Sequence, residues 1–445
     1  MTAERLLEPL SFRNLTVRNR VLRSSIAGRF DNYNGGGSDA RISFETRFAR
    51  AGVGAIISSF VPVDVRGRIV PGYSGIDRDE RIAFWSELGK RVHEHGCPYI
   101  VQLAHGGRQR DIGGIEFAKG LSSTGKADPL HGFPCEAMTQ DQIDDAVGSF
   151  ARAARRVRES GLDGIEIHGA NGYLFTQFLS SAANDRKDAY GGSLENRARL
   201  LLDTVRAIRA EVGLDFHLQV KISATEYGNA FFPWAAKGNT IEDSVQVCRW
   251  LEDAGADAIH VSAGNAFPHP RNPAGAFSTR DVVRTYDTML SNGRHTFRNY
   301  LMFRIWPLNR IAEWRWSVDA DRVEGANLPD ARAIKQAVSI PVLCTGGFQS
   351  ASVIEAALER GDCDAVTAAR PLLANPDLVQ LFAAGKERPQ RPCTYCNKCL
   401  FNVLEHPIGC YDESRYDSRE EMIREIFSVF EPEGGSQARG AGRLT

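Results

Sequence analysis

Three polar residues crowd into six positions of the run Ile165-Glu166-Ile167-His168-Gly169-Ala170-Asn171-Gly172-Tyr173-Leu174. A His and an Asn three apart can both donate hydrogen bonds to one oxygen that gains negative charge, which stabilises an enolate-like or nitronate-like transition state. A Tyr with an ordinary pKa of about 10 stays protonated near neutrality and can deliver a proton. A single histidine here would read as bonded to backbone; His168, Asn171 and Tyr173 together read as chemistry. A second constellation is Cys393-x-x-Cys396-x-x-Cys399 followed by Cys410, while Cys97, Cys135, Cys248, Cys344 and Cys363 lie apart. Four thiols grouped this closely ask for a soft-ligand metal rather than a disulfide framework, either a 4Fe–4S cluster or, as the alternative, zinc. Third, Gly346-Gly347 and Ala369-Arg370 place small residues and a cation in two successive loops, where exposed N–H groups would complement a phosphate.

The elements that must position these residues alternate. Eight apolar, β-branched runs read as strands: Arg20–Ile26, Gly54–Val63, Tyr99–His105, Gly164–Gly169, His217–Ser223, Ala258–Ala263, Pro341–Thr345 and Asp364–Ala368. Runs such as AIISSFVPV, apolar throughout, describe strands buried on both faces. Between them lie amphipathic stretches, clearest at Leu194, Ala198, Leu201, Val205 and Ile208, with Ser193 as N-cap and Gly213 as stop. A second stripe runs through Ile143, Val147, Phe150, Ala154 and Val157. Eight alternations predict an α/β fold, a (β/α)8 TIM barrel, with function at the C-terminal ends of the strands.

The barrel is expected over residues 1–388, with a long insertion after strand six at about 267–327. That insertion holds Trp306, Trp314 and Trp316 and reads as a subdomain burying its own aromatics, with a lid as the alternative. A Cys-rich C-terminal extension follows over 389–432, including an amphipathic helix near Ser418–Phe430 suited to packing on a neighbour in a homo-oligomer; 433–445 reads as a disordered tail. Of the 445 residues 42% are hydrophobic and 24% charged, and 54 Lys and Arg balance 55 Asp and Glu. Such a balance speaks against nucleic-acid and membrane-surface partners. Neither a membrane-length apolar run nor a signal-peptide h-region is present, so the expected compartment is the cytoplasm.

The run HGANGYLFTQFLSSAANDRKDAYGGSLENRAR resembles the signature of the Old Yellow Enzyme / NADH:flavin oxidoreductase family. Its H-x-x-[NH]-x-Y element is matched at His168, Asn171 and Tyr173, and its Y-G-G-S-x-E-N-R element at Tyr190 to Arg197. The likeness runs from PLSFRNLTVRNRV to ARPLLANPDL and on through the cysteines. The resemblance implies FMN. Gln102 would meet the pyrimidine edge of the flavin, and Lys221, where the family usually has Arg, would place a cation at its N1. Ser25, Ile26 and Ala27 would line the ring near N5, Ala27 standing where the family usually has Thr or Cys. Gly346, Gly347, Ala369 and Arg370 would hold the phosphate, and His168 and Asn171 the activating oxygen of the substrate. The cysteine segment resembles the branch with trimethylamine dehydrogenase and 2,4-dienoyl-CoA reductase, whose further C-terminal domains this chain lacks. An iron–sulfur cluster would then serve structure or an external electron-transfer partner. His269 approximates a second active-site histidine of that branch.

The expected function is hydride transfer from NADH or NADPH to FMN and on to a small electron-poor alkene such as an unsaturated carbonyl compound, with Tyr173 as proton donor. No Rossmann G-x-G-x-x-G follows a strand, so the nicotinamide must dock in the barrel mouth. The alternatives are an amine dehydrogenase or demethylase passing electrons out through the cluster, and a catalytically silent binding barrel.

Overall fold

The computed structural model describes residues 4–26, 28–109, 117–128, 132–227, 238–264, 272–289, 294–317, 323–403 and 405–431. Eight parallel strands close into a barrel: β1 Val21–Arg23, β2 Ile56–Pro62, β3 Tyr99–Ala104, β4 Gly164–Gly169, β5 His217–Ser223, β6 Ala258–Ser262, β7 Val342–Thr345 and β8 Ala365–Ala368. Each pairs with its neighbour in sequence, and β8 returns to β1 through Val366 beside Val21. Every barrel strand falls inside one of the runs read from the sequence. Successive side chains point to opposite faces of a strand, and that alternation stacks the interior in layers. The lowest holds Leu22, Ile57, Ile100, Ala258, Leu343 and Ala365. A short hairpin, Leu10–Ser11 paired with Thr16–Val17, adds Leu10, Phe12 and Val17 to it, closing the end away from the site.

The outer helices form where the apolar stripes fall. Helix Leu194–Val212 begins at Ser193, whose side chain accepts from the Asn196 N–H, and ends at Gly213 with φ +72°. That left-handed ending suits glycine, which has no Cβ to clash. Helix Gln140–Glu159 starts with a reciprocal cap between Thr139 and Gln142 and buries Ile143, Phe150, Ala154 and Val157.

The insertion after β6 departs from expectation. It forms the helices Thr279–Met289, Arg294–Arg304 and Leu308–Ser317. Two of its tryptophans are not in its core: Trp306 is 76% exposed and Trp314 67%. Phenylalanines fill that place, with Phe277, Val282, Phe303 and Ala312 clustering around Phe401 of the Cys-rich extension. The helix Arg419–Phe427 turns Met422 and Ile426 inward, and the turn after it carries Phe430 to 6.1 Å from Phe30. Met422 and Ile426 cluster with Tyr411 of the same extension, while Ile423 and Phe427 stay exposed.

Candidate active site

Two residues above the apolar layer, the barrel interior becomes polar. Glu166 on β4 sits at its centre and is fully buried. One carboxylate oxygen accepts from Gln102 Nε2 at 2.7 Å; the other accepts from Gln219 Nε2 at 2.5 Å and meets His260 Nδ1 at 2.6 Å. The far nitrogen of His260 lies 2.6 Å from Thr345 Oγ1 and 2.9 Å from Thr367 Oγ1, so the network crosses the whole barrel. Burial opposes a charge on Glu166, but His260, Lys221 and Gln102 outweigh it and hold the carboxyl below the usual range. The same burial lowers His260, against the pull of Glu166. The sequence alone assigns no role to Glu166, Gln219 or His260. Their signal was present: polar residues on alternate positions of otherwise apolar runs, as in Glu166/His168, Gln219/Lys221 and His260/Ser262.

The next layer is the mouth. His168 and Lys221 stand side by side in the β4–β5 register, both buried. Burial first, and Lys221 second, push the His168 imidazole down to about 3, so it is neutral at physiological pH. Its Nδ1 is buried without a partner. Burial likewise lowers the Lys221 ammonium, with Glu166 pulling the other way. Tyr173 stacks edge-on to His168, ring centroids 4.8 Å apart, and to Phe60 at 5.1 Å. The loop carrying it turns through Asn171 (φ 62°) and Gly172 (φ 89°). Gln177 anchors that loop by donating to the Gly172 carbonyl and to the Gly106 carbonyl after β3. Asn171 points elsewhere: its amide nitrogen reaches Ala263 O at 3.0 Å, with Ser262 Oγ and Asn272 Oδ1 at 3.2 Å. Its donors therefore turn to the end of β6 rather than converging with His168 on one oxygen. Gln102 is engaged too, accepting from Ser25 Oγ at 2.8 Å while it donates to Glu166. Ile26 is buried beside β1. Ala27 and His269 lie outside the described residues.

At the β7–β8 corner, Gly347 has φ +69°, and a Cβ there would lie 2.9 Å from Val323 and 3.2 Å from the Tyr395 ring. Tyr395 donates to the Gly347 carbonyl at 2.5 Å. Gly346 accepts from the Gly325 N–H, and Ala369 is the residue before the short helix Arg370–Ala374. Arg370 bonds Ala274 O and Asn397 Oδ1 and lies over the Tyr395 ring at 5.4 Å. The glycine corner, the nearby guanidinium, the orphaned His168 nitrogen and the buried Lys221 ammonium suit a planar heteroaromatic ring that gains negative charge on reduction and carries a phosphate. These residues fit FMN.

Metal chemistry fares differently. Cys393, Cys396, Cys399 and Cys410 are free and partly buried. Burial raises the thiols of the first three, Cys393 to about 11. Arg415 Nη1 donates to Cys410 Sγ at 3.1 Å. Among the described residues no group of three or more His, Cys, Asp or Glu converges as metal ligands do. Among the described residues, then, no metal-ligand set is shown for the expected iron–sulfur cluster or for its zinc alternative.

Residues 5–292 match the sequence profile of the NADH:flavin oxidoreductase / NADH oxidase family, and residues 315–434 that of dihydrouridine synthase. An NADH oxidase of Thermoanaerobacter brockii is 30% identical over 415 residues, spanning 90% of this chain and 56% of that protein. An NADH-dependent flavin oxidoreductase of Talaromyces variabilis is 31% identical over 394 residues and covers 84% of each chain. The chain thus spans little more than half of the first relative but most of the second. A 2-naphthoyl-CoA reductase complex superposes with a TM-score of 0.74 at 24% identity, over 92% of this chain and 57% of that one. Morphinone reductase with tetrahydroNAD gives 0.63 at 23%, over 88% and 93%. At such identities these two structures speak to the fold alone.

Proposed function

The chain belongs to the NADH:flavin oxidoreductase / NADH oxidase family, and from that membership we propose that it passes hydride from NADH or NADPH, by way of FMN, to a small electron-poor alkene such as an enone or enoyl ester. The observation that carries this reading is the neutral, buried His168, its Nδ1 unpartnered, beside the Tyr173 phenol and the Lys221 ammonium. FMN, when bound, supplies a two-electron carrier that accepts hydride from the nicotinamide and returns it to the alkene. Lys221 holds positive charge on the floor of the mouth, where electron density builds up. A neutral imidazole donates without neutralising that density, and His168 is proposed to grip the activating oxygen of the alkene. Tyr173 holds a proton at its phenol oxygen and gives it to the carbon beside the one that takes hydride. Gly346, Gly347 and Arg370 are proposed to seat the phosphate.

Tyr173→Phe tests the assignment. Alkene reduction should fall by about 10² or more, the usual worth of a positioned acid, while anaerobic bleaching by NADH stays near the parent rate. Equal losses in both half-reactions would remove Tyr173 as proton donor. A second reading is amine oxidation, the direction named for a relative, the N,N-dimethylglycine/sarcosine dehydrogenase of Chromohalobacter salexigens, 27% identical over 403 residues, of which the chain spans 51%. Mixing with NADH and, separately, with NADPH under anaerobic conditions separates the two: rapid bleaching by either supports alkene reduction, and its absence with both supports amine oxidation.

A further inference from the structure

Soluble proteins scatter exposed large apolar residues singly, and a contiguous group marks a contact surface. Among the described residues twelve large apolar side chains are exposed, and seven of them lie between 297 and 314: Phe297, Leu301, Ile305, Trp306, Leu308, Ile311 and Trp314. They belong to one helical hairpin, Arg294–Arg304 and Leu308–Ser317, and Phe297, Leu301 and Ile305 recur at four-residue spacing as one stripe. At the tip, Arg304 to Leu308 is exposed without interruption. The opposite side is anchored, since Asn299, Phe303 and Ala312 are buried. Charge accompanies the patch. Between 298 and 315 the sequence places Arg298, Arg304, Arg310 and Arg315 against the single acid Glu313, in a chain whose overall charge is −1. The whole-chain balance, which spoke against a membrane partner, averages away this local excess.

We propose that the hairpin docks the protein in the plane of an anionic lipid surface. Trp, Phe and aliphatic side chains on one face with arginines beside them are the chemistry of a helix lying at the headgroup boundary. No helix among the described residues is long and apolar enough to cross a bilayer, so the contact is peripheral. A second copy of the chain fits less well, because a two-fold contact would set the same arginines against one another. The segment follows β6, and its residues Ala274 and Ala276 lie beside the proposed phosphate corner, where Arg370 donates to Ala274 O and the Ala276 N–H donates to Tyr395 O at 2.9 Å. Docking would bring the mouth close to the lipid.

The test uses the full-length protein with vesicles. It should co-sediment with vesicles of phosphatidylcholine and phosphatidylglycerol, and bind phosphatidylcholine alone at least about tenfold more weakly, given what each arginine near an anionic surface contributes. Ile305→Ser with Trp306→Ser should weaken binding about tenfold by removing the buried apolar anchors. Arg304→Gln with Arg310→Gln should remove most of the preference for the anionic vesicles. All are surface changes, and unchanged melting by circular dichroism confirms the fold. Failure of the parent to bind either vesicle overturns the proposal, as does equal binding by the Ile305/Trp306 variant. A dimer in light scattering that Trp306→Ser dissolves would also overturn it, giving the patch to a second copy.

Discussion

At the scale of single residues the site is governed by burial. His168 stays neutral down to about 3, whereas an unfolded imidazole takes up its proton near pH 6.5. Between those values the unfolded chain binds more protons than the folded one, so stability rises with pH and is lost as pH falls. His217 and His260 are shifted in the same direction by burial, His260 against Glu166. The expected slope is about 1.4 kcal/mol per pH unit for each such histidine. Urea unfolding between pH 7 and pH 5 should show the midpoint dropping steeply, and His168→Asn should make the drop shallower by one histidine's share. An unchanged slope would mean that His168 is already protonated in the folded state. Glu166 is the costlier residue to touch. Truncation to Ala strips acceptors from Gln102, Gln219 and His260 at once, and should cost about 3–5 kcal/mol, the range for breaking a buried charged network. Denaturant titration of Glu166→Ala reads this directly; a loss under about 1 kcal/mol would show that the network is dispensable.

At the scale of elements, the barrel was legible because its physics is repetitive. Each strand is buried on both faces, so it reads as an apolar run, and helices such as Leu194–Val212 carry their own start and stop in Ser193 and Gly213. What stayed hidden required knowing what lies across the barrel. Glu166 is an unremarked acid in IEIHG until β3, β5 and β6 bring Gln102, Gln219 and His260 to it. Asn171 reads as a partner of His168 by spacing, yet its left-handed backbone turns the amide to β6. The insertion misled for a different reason: tryptophan is usually interior, and here Phe277, Phe303 and Phe401 took the core while Trp306 was left outside. The glycine corner after β7 belongs to this scale too. Gly347→Ala forces a Cβ into the left-handed region, 2.9 Å from Val323, and should cost at least about 1 kcal/mol. Thermal unfolding and flavin content, measured together, should both fall; a variant matching the parent in both would show that the corner can relax.

At the scale of the whole molecule, the Cys-rich extension is tied to the barrel by polar bonds, two of which end at the proposed phosphate corner. Gln349, fully buried after β7, accepts from the Cys393 N–H at 2.9 Å and donates to its carbonyl at 3.1 Å. Tyr395 holds the Gly347 carbonyl, and Asn397 holds Arg370. Arg415 reaches back to the carbonyls of Ala374 and Arg391 and to Asn375, so one guanidinium serves both parts. Because the Tyr395 and Asn397 bonds end on Gly347 and Arg370, residues proposed to seat the phosphate, loosening the extension should loosen the flavin. Tyr395→Phe deletes one donor without changing shape, and should weaken FMN binding several-fold while costing about 1 kcal/mol of stability. Arg415→Ala leaves several buried carbonyls unanswered and should cost more, about 3 kcal/mol. Fluorescence titration of the flavin-free protein with FMN reads the first effect, and calorimetry the second. If the extension were an independent appendage, Arg415→Ala would split the melting curve into two transitions and leave FMN affinity untouched; coupling demands a single transition, shifted downward, with affinity falling alongside it.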